Sequence, residues 1–197
     1  MGKHRDSPTS AHGMSKTPGF TLIELMVALS VATILLTVGI PSYQDFIQKY
    51  RINTQTNRLI GALRLARSEA IKGDGKLVIL CKLDTAGTGC NSTGSWSDGW
   101  LLYQDMNADK NYSASTDRLI QTYEKTQYLT ITTGNNYRCW IGFGANGYTI
   151  GGGTDCRGNA LGNDSIKICP AAANSGIKGT SIIINNIGRI RTDDATC

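Results

Sequence analysis

The chain has 197 residues and a formal net charge of +5 at pH 7, from 20 lysine and arginine and 15 aspartate and glutamate side chains. Its length predicts one globular domain with an additional element. Three of the basic residues and one acidic residue precede Phe20, so 17 basic and 14 acidic residues follow and leave a charge of +3. That charge is too small to indicate a nucleic-acid partner by itself.

Both histidines, His4 and His12, lie in the same first stretch. A chain that loses this stretch has no imidazole, which excludes catalytic sets with a histidine base and zinc sites with a histidine ligand. The segment from Asp105 to Asn111 has acidic or amide side chains at alternate positions, as calcium loops do. Lys110 and Thr116, however, stand where an EF-hand requires glycine and glutamate. We therefore expect a turn between strands there. Since the sequence offers no catalytic set, we also expect no metal, no cofactor and no enzyme activity in the protein.

A membrane-spanning helix is predicted from Phe20 to Ile40. These 21 residues contain one charge, Glu24, and at about 1.5 Å per residue the helix would be about 31 Å long, close to the ~30 Å hydrocarbon core of a bilayer. Basic residues precede the segment, and none follows it before Lys49. The positive-inside rule therefore places the amino terminus in the cytoplasm and the residues after Pro41 outside.

The start of this helix carries a specific motif. Gly19-Phe20-Thr21-Leu22-Ile23-Glu24 resembles the prepilin-peptidase site of type IV pilins and type II secretion pseudopilins. The resemblance implies a leader of residues 1–19, cleavage by the peptidase after Gly19, N-methylation of Phe20, and assembly of the helix into a fibre with other pilins. It also implies a protein of the bacterial inner membrane that later reaches the periplasm or a cell-surface pilus.

Glu24 and Pro41 are the predicted assembly residues. A carboxylate in lipid costs several kcal/mol unless it finds a partner, and its own helix offers none. The resemblance implies that the partner is the new amino group on Phe20 of a neighbouring subunit. Pro41 is expected to kink the helix or to melt it locally where it leaves the membrane.

An amphipathic helical segment is predicted over residues 41–73, ended by Gly73-Asp74-Gly75. Apolar residues recur at three-to-four-residue spacing, which gives the helix one face that packs on a sheet. The apolar positions are Ile52, Leu59, Leu63, Ala66 and Ala70.

Residues 74–197 are typical of a β-rich globular domain with a carboxy-terminal tail, because short β-prone runs alternate with turn-forming residues. The predicted strands are residues 76–81, 100–104, 119–123, 129–132, 138–143, 165–169 and 180–185. The expected fold class is α+β, with the long amino-terminal helix against one or two antiparallel sheets. The course Cys81, Cys90, Trp96, Gly99-Trp100 and Asp105, together with Leu65 to Ile71, resembles the GspH/FimT family of minor pilins and pseudopilins. That resemblance implies a type IV pilin-like fold.

Six cysteines occur, and none belongs to a CxxC pair. This pattern favours disulfides in an oxidising compartment over a metal ribbon. Six cysteines allow fifteen pairings. The short loop favours Cys81 with Cys90, and our preferred pattern adds Cys139 with Cys156 and Cys169 with Cys197.

The chain closes with Gly188-Arg189-Ile190-Arg191 followed by Asp193 and Asp194. On a strand both arginines would point to one side, where their guanidinium groups can hold phosphates. The residues alone favour the alternative, local pairing of the arginines with the two aspartates.

This motif resembles the carboxy-terminal motif of FimT-type minor pilins of DNA-uptake systems. The resemblance implies DNA binding for natural transformation through Gly188, Arg189 and Arg191. Lys178 and Lys167 are candidate helpers, and two to four phosphate contacts predict weak binding without sequence preference. The alternative function is a structural minor pilin, or a type II secretion pseudopilin, that primes or caps the fibre without binding DNA.

Overall fold

The computed structural model describes residues 19–158, 160–172 and 176–197, and of Val38 and Pro41 it describes the backbone alone. The predicted leader, residues 1–19, lies outside the described residues except for Gly19. The chain divides into two compact units, Met1–Ser42 and Tyr43–Cys197.

Helix α1 extends over Leu22–Lys72. Thr21 caps its start, because the Thr21 hydroxyl accepts a hydrogen bond from the backbone N–H of Glu24 at 3.2 Å. Glu24 therefore lies in the first turn, where the aligned peptide dipoles favour a carboxylate. The described apolar side chains of the first half are exposed, and the helix is long and apolar enough to cross a membrane by length and composition.

The helix continues through Pro41. The predicted local melting at this residue is therefore wrong: a proline removes one backbone hydrogen bond, and the backbone on both sides of it stays helical. The predicted kink stays a prediction.

The second half of α1 has the predicted buried face. The apolar residues of this face are at most 2% exposed. The helix ends just before the predicted stop, where Gly75 has a φ of +80°. The buried positions are Ile52, Leu59, Ala62, Leu63, Ala66 and Ala70.

Ten strands follow the helix in the described residues. They are β1 Leu77–Lys82, β2 Gly99–Asp105, β3 Arg118–Glu124, β4 Leu129–Thr133, β5 Trp140–Phe143, β6 Thr149–Gly151, β7 Ala160–Leu161, β8 Asp164–Pro170, β9 Gly179–Ile184 and β10 Ile190–Ala195. They form a six-stranded sheet in the order β3-β2-β1-β5-β6-β7 and a four-stranded sheet in the order β10-β9-β8-β4. All strand pairs are antiparallel.

The predicted fold class is confirmed, and each of the seven predicted strands corresponds to an observed one. Three strands were not predicted: β6, β7 and β10. The first two have three and two residues, too few for a period-two pattern to be recognised. Strand β10 is polar and mostly exposed because it lies at the edge of its sheet.

Both faces of the central strands are covered. One face contributes Val78, Leu80 and Trp100 to a core shared with α1 and the four-stranded sheet. The other face contributes Ile79 and Leu101 to a smaller core that includes cysteines of two disulfides. This two-sided burial explains why every residue of β2 is buried.

Three disulfides join Cys81 to Cys90, Cys139 to Cys156 and Cys169 to Cys197. The pairing preferred from the sequence is therefore the one in the structure. The first two bridges fasten loops over the smaller core, and the third ties the last residue of the chain to β8.

Candidate nucleic-acid interface

Arg189 and Arg191 lie at the hairpin between β9 and β10, and both side chains are exposed. Arg191 belongs to β10, whereas Arg189 lies one residue before the start of that strand, and the expectation that both arginines point to one side stays a prediction. The backbone of Arg189 bonds to Asn185 instead: its N–H donates to Asn185 Oδ1 at 2.7 Å, and its carbonyl accepts from the N–H of Asn185 at 3.2 Å. We call residues 185–189 the arginine turn.

Gly188 determines the shape of this turn. Its φ of +74° is a conformation that side chains rarely adopt, and its N–H donates to the carbonyl of Asn185 at 2.9 Å. A β-carbon there would meet the carbonyl oxygen of Gly147 and lie 2.9 Å from Nε of Arg67. Because Gly188 is buried and its backbone groups are bonded within the protein, it acts on the conformation of the turn and not on a ligand directly.

Arg67 fastens the arginine turn to α1. Its Nη1 donates to the carbonyl of Gly188 at 3.1 Å, and its Nη2 donates to the carbonyl of Ile187 at 3.0 Å. Sequence reasoning missed this residue, because the partners are about 120 positions apart. Its place off the apolar face of the helix was the one available signal.

The six-stranded sheet holds the turn from a second side. The N–H of Thr149, at the start of β6, donates to the carbonyl of Asn186 at 2.9 Å, and the Thr149 hydroxyl contacts the carbonyl of Asn185 at 2.8 Å. The turn is therefore bonded to both the helix and the first sheet, which fixes where Arg189 leaves the surface.

The two aspartates do not pair with the arginines. Asp194 forms an ion pair with Lys178 at 3.3 Å, and one oxygen of Asp193 accepts the N–H of Asp194 at 2.9 Å. Within the described part of the chain, no carboxylate oxygen lies within 4.0 Å of the guanidinium nitrogens of Arg189 or Arg191. The local-pairing alternative is thus not seen, and Asp194 offsets the charge of the predicted helper Lys178.

Lys167 shares the outer face of the four-stranded sheet with Arg191. Register places Asp193 opposite Ser181 and Ser181 opposite Lys167, and paired residues point to one side of an antiparallel sheet. Two strand spacings separate β8 from β10, roughly 10 Å, which leaves both cations on one flat surface. The ammonium of Lys167 donates to the carbonyl of Thr196 at 3.2 Å.

The three tryptophans are buried and offer no stacking surface: Trp96, Trp100 and Trp140 are 3%, 0% and 4% exposed. In contrast, Ile187 of the arginine turn and Tyr148, the neighbour of Thr149, are exposed. The interface therefore consists of cations, with the carboxylate of Asp193 on the same face of the sheet and two exposed apolar side chains nearby.

No group of three or more histidine, cysteine, aspartate or glutamate side chains is placed to hold a metal ion in the described ranges. The segment after Asp105 is the predicted turn between strands, β2 and β3. Hydrogen bonds between carboxylates and backbone N–H groups hold this turn together. Asp105 accepts from the N–H of Lys110 at 3.0 Å, and Asp117 accepts from those of Met106 and Ser113 at 3.0 and 2.8 Å.

Two family models match the chain. One, described as type II transport protein GspH, matches residues 55–188. The chain belongs to the GspH family. The other, described as a prokaryotic N-terminal methylation motif, matches residues 14–40. The GspH match ends at Gly188, so Arg189 and Arg191 lie just beyond the matched residues.

Several curated relatives of this GspH-family chain are named as fimbrial proteins or pilins. It is 40% identical over 55 residues to fimbrial protein Q of Moraxella bovis, which covers 28% of this chain and 32% of that protein. It is 38% identical over 69 residues to the type IV major alpha-pilin of the same organism, which covers 34% and 41%. The chain spans about a third to two fifths of the length of these two relatives.

A solved structure shares the fold. The crystal structure of the type IV minor pilin FimU of Pseudomonas aeruginosa PAO1 matches with a TM-score of 0.50 and 18% identity, over 75% of this chain and 92% of that one. The family matches and this fold together identify a type IV minor pilin or pseudopilin of the GspH/FimT type. Such proteins are structural subunits.

Proposed function

We propose that this chain is a minor pilin that binds extracellular DNA, without sequence preference, for uptake in natural transformation. One observation carries the proposal: Arg189 ends the fastened arginine turn, Arg191 follows it on β10, and neither has a carboxylate partner in the described residues. Guanidinium groups in this state bind phosphate oxygens through charge-assisted hydrogen bonds.

The number of cations sets the expected affinity. Arg189, Arg191 and Lys167 provide about three phosphate contacts, so the affinity for duplex DNA should be weak, with a Kd on the order of 10⁻⁶ to 10⁻⁴ M. The logarithm of the affinity should fall with the logarithm of the salt concentration with a slope of about −2.7. A contact made mainly to phosphates carries no sequence information.

The presentation of this surface follows from the amino-terminal motif. Prepilin peptidase removes residues 1–19, Phe20 is methylated, and α1 anchors the chain in the inner membrane with its start toward the cytoplasm. Assembly with other pilins then carries the arginine turn, already outside the membrane, into the fibre. The exposed apolar side chains of α1 and the methylation-motif match support this sequence of events.

A second function is a structural subunit that primes or caps a pilus or a type II secretion pseudopilus without contacting DNA. The match to the type II transport protein GspH supports it, because that match needs neither Arg189 nor Arg191.

DNA titration separates the two functions. The full-length chain, in micelles of an uncharged detergent, is titrated against a labelled duplex at about 50 and 200 mM salt, and anisotropy is recorded. A slope of about −2.7 predicts roughly fortyfold weaker binding at the higher concentration.

The Arg189→Gln/Arg191→Gln variant should lose most binding at unchanged melting temperature. The matched control, Lys125→Gln/Arg157→Gln, removes two exposed cations away from the turn and should bind as the parent does. Equal binding by the parent and the arginine variant would favour the structural function.

A further inference from the structure

An open cavity of about 630 Å³ lies beside the end of β4, away from the arginine turn. The loop of residues 92–96 and the segment around the Cys139–Cys156 bridge form its other walls. Its volume is in the range of sites for small molecules. Two disulfides fasten these walls to the sheet, so the cavity is formed before any ligand enters.

Lys82, the last residue of β1, lines this cavity although it is only 4% exposed. Its Nζ donates one hydrogen bond, to the carbonyl of Ser92 at 2.6 Å. No carboxylate oxygen among the described residues lies within 4.0 Å of that nitrogen. A partly buried ammonium group without a counterion is costly, because one hydrogen bond offsets only part of the lost hydration. Burial, and then the positive charge of Arg138, lower the pKa of Lys82.

Arg138 adds a second cation to the same cavity. It is exposed, and it belongs to no ion pair in the part of the chain that the structure describes. Asp155 is the carboxylate among the lining residues, and one of its oxygens already accepts the N–H of Arg157 at 3.2 Å. The lining therefore carries an excess positive charge that the protein does not neutralise.

The rest of the lining is rich in hydroxyl groups, which favour a polar ligand over an apolar one. Several of them are exposed and can exchange hydrogen bonds with a polyhydroxylated molecule. The hydroxyl-bearing residues are Ser92, Thr93, Ser95, Thr132, Thr133 and Thr154.

We propose that this cavity binds a sugar that carries an acidic group, a carboxylate or a phosphate. Lys82 and Arg138 hold the acidic group by charge-assisted hydrogen bonds, and the hydroxyl-bearing wall contacts the hydroxyls of the sugar. The site is separate from the arginine turn and does not depend on DNA binding.

Saturation-transfer NMR on the full-length chain in uncharged detergent micelles tests the proposal. Glucuronate and glucose 6-phosphate should each give transfer signals, and neutral glucose should give none at the same concentration. Inorganic phosphate should displace both only at about tenfold higher concentration. Displacement at equal concentration would overturn the role of the hydroxyl wall.

Two variants assign the site. Lys82→Met keeps the buried stem and removes the charge, and Arg138→Gln changes an exposed residue that forms no ion pair in the described residues; each should weaken binding at least tenfold. Arg157→Gln is the control, because it removes one positive charge just outside the cavity and should leave sugar binding unchanged. The Arg189→Gln/Arg191→Gln variant should also bind the sugars as the parent does. Absence of signal for both acidic sugars, or signals unchanged in both cavity variants, would overturn the proposal.

Discussion

Single residues decide how the arginine turn is held. Gly188 provides a conformation that other residues rarely adopt, and Arg67 bonds to the two carbonyl groups that this conformation turns toward α1. The guanidinium of Arg67 is therefore used inside the protein, whereas that of Arg189 stays available to a ligand. Two arginines of the same chemistry differ in role because of their surroundings.

Replacing Gly188 with alanine should destabilise the protein by about 1–3 kcal/mol, because the new β-carbon needs a strained φ and meets the carbonyl of Gly147. Chemical unfolding of the variant and the parent measures the difference. Gly61→Ala is the matched control: Gly61 is exposed in α1 with no atom within 4 Å of a β-carbon, so this change should stabilise by about 0.5–1 kcal/mol. A Gly188→Ala protein as stable as the parent would contradict our account of the turn.

For single residues, a sequence motif indicated Gly188, Arg189 and Arg191. It did not explain why position 188 requires a glycine. The reason lies in Gly147 and Arg67, which approach it through the fold and not along the chain. The partners of Arg67 could not be predicted, because amphipathic spacing separates buried from exposed positions and says nothing about a hydrogen bond to a distant carbonyl.

Among the elements, β10 depends most on a covalent bond. It pairs with β9 alone and lies at a sheet edge, and the bridge from Cys197 to Cys169 fastens the chain just beyond it. Since Arg191 belongs to β10, this disulfide also keeps part of the proposed DNA surface in place.

Removing the Cys169–Cys197 bridge by a double change to serine should destabilise the protein by about 3.6 kcal/mol, because it closes a loop of 28 residues. The matched comparison is Cys81→Ser/Cys90→Ser, whose loop of 9 residues predicts about 2.6 kcal/mol. Equilibrium unfolding gives both values, and hydrogen exchange should show faster opening of β10 in the first variant. A larger loss from the shorter loop would contradict this order.

The elements also show what sequence patterns reveal. Strands with a buried, β-branched run, such as β1 and β8, were predicted within a few residues, because their apolar character is visible locally. Strand β10 carries Arg191, Asp193 and Asp194, whose charge is typical of a loop, and pairing with β9 alone makes it a strand. The cavity beside β4 was invisible for the same reason, since its walls come from segments far apart in the chain.

The whole molecule joins an apolar amino-terminal half-helix to a disulfide-bonded domain in the manner of type IV pilins. The carboxylate of Glu24 gains from the helix dipole at its position in the first turn, which reduces but does not remove the need for a partner in lipid. Thr21 contributes separately, as the cap.

Glu24→Gln should therefore insert and be processed normally but enter fibres poorly, because it removes the charge that would pair with the amino group of a neighbouring Phe20 and keeps the size of the side chain. Thr21→Ala is the control: it removes the cap, worth about 1 kcal/mol, and should leave assembly largely intact. The measurement is the fraction of each variant in sheared fibres against the membrane fraction. Incorporation of Glu24→Gln at the parental level would refute the pairing.

The hydrogen bonds of Arg67 define a route for mechanical load. A shortening fibre would pull on α1. Arg67 belongs to that helix and donates its two hydrogen bonds to the hairpin next to Arg189. Tension on a bound polymer would thus pass from guanidinium to helix through two hydrogen bonds, in parallel with the strand pairing of the four-stranded sheet. Force on a polymer bound at this hairpin would therefore reach α1 directly, and the four-stranded sheet would carry only part of that force.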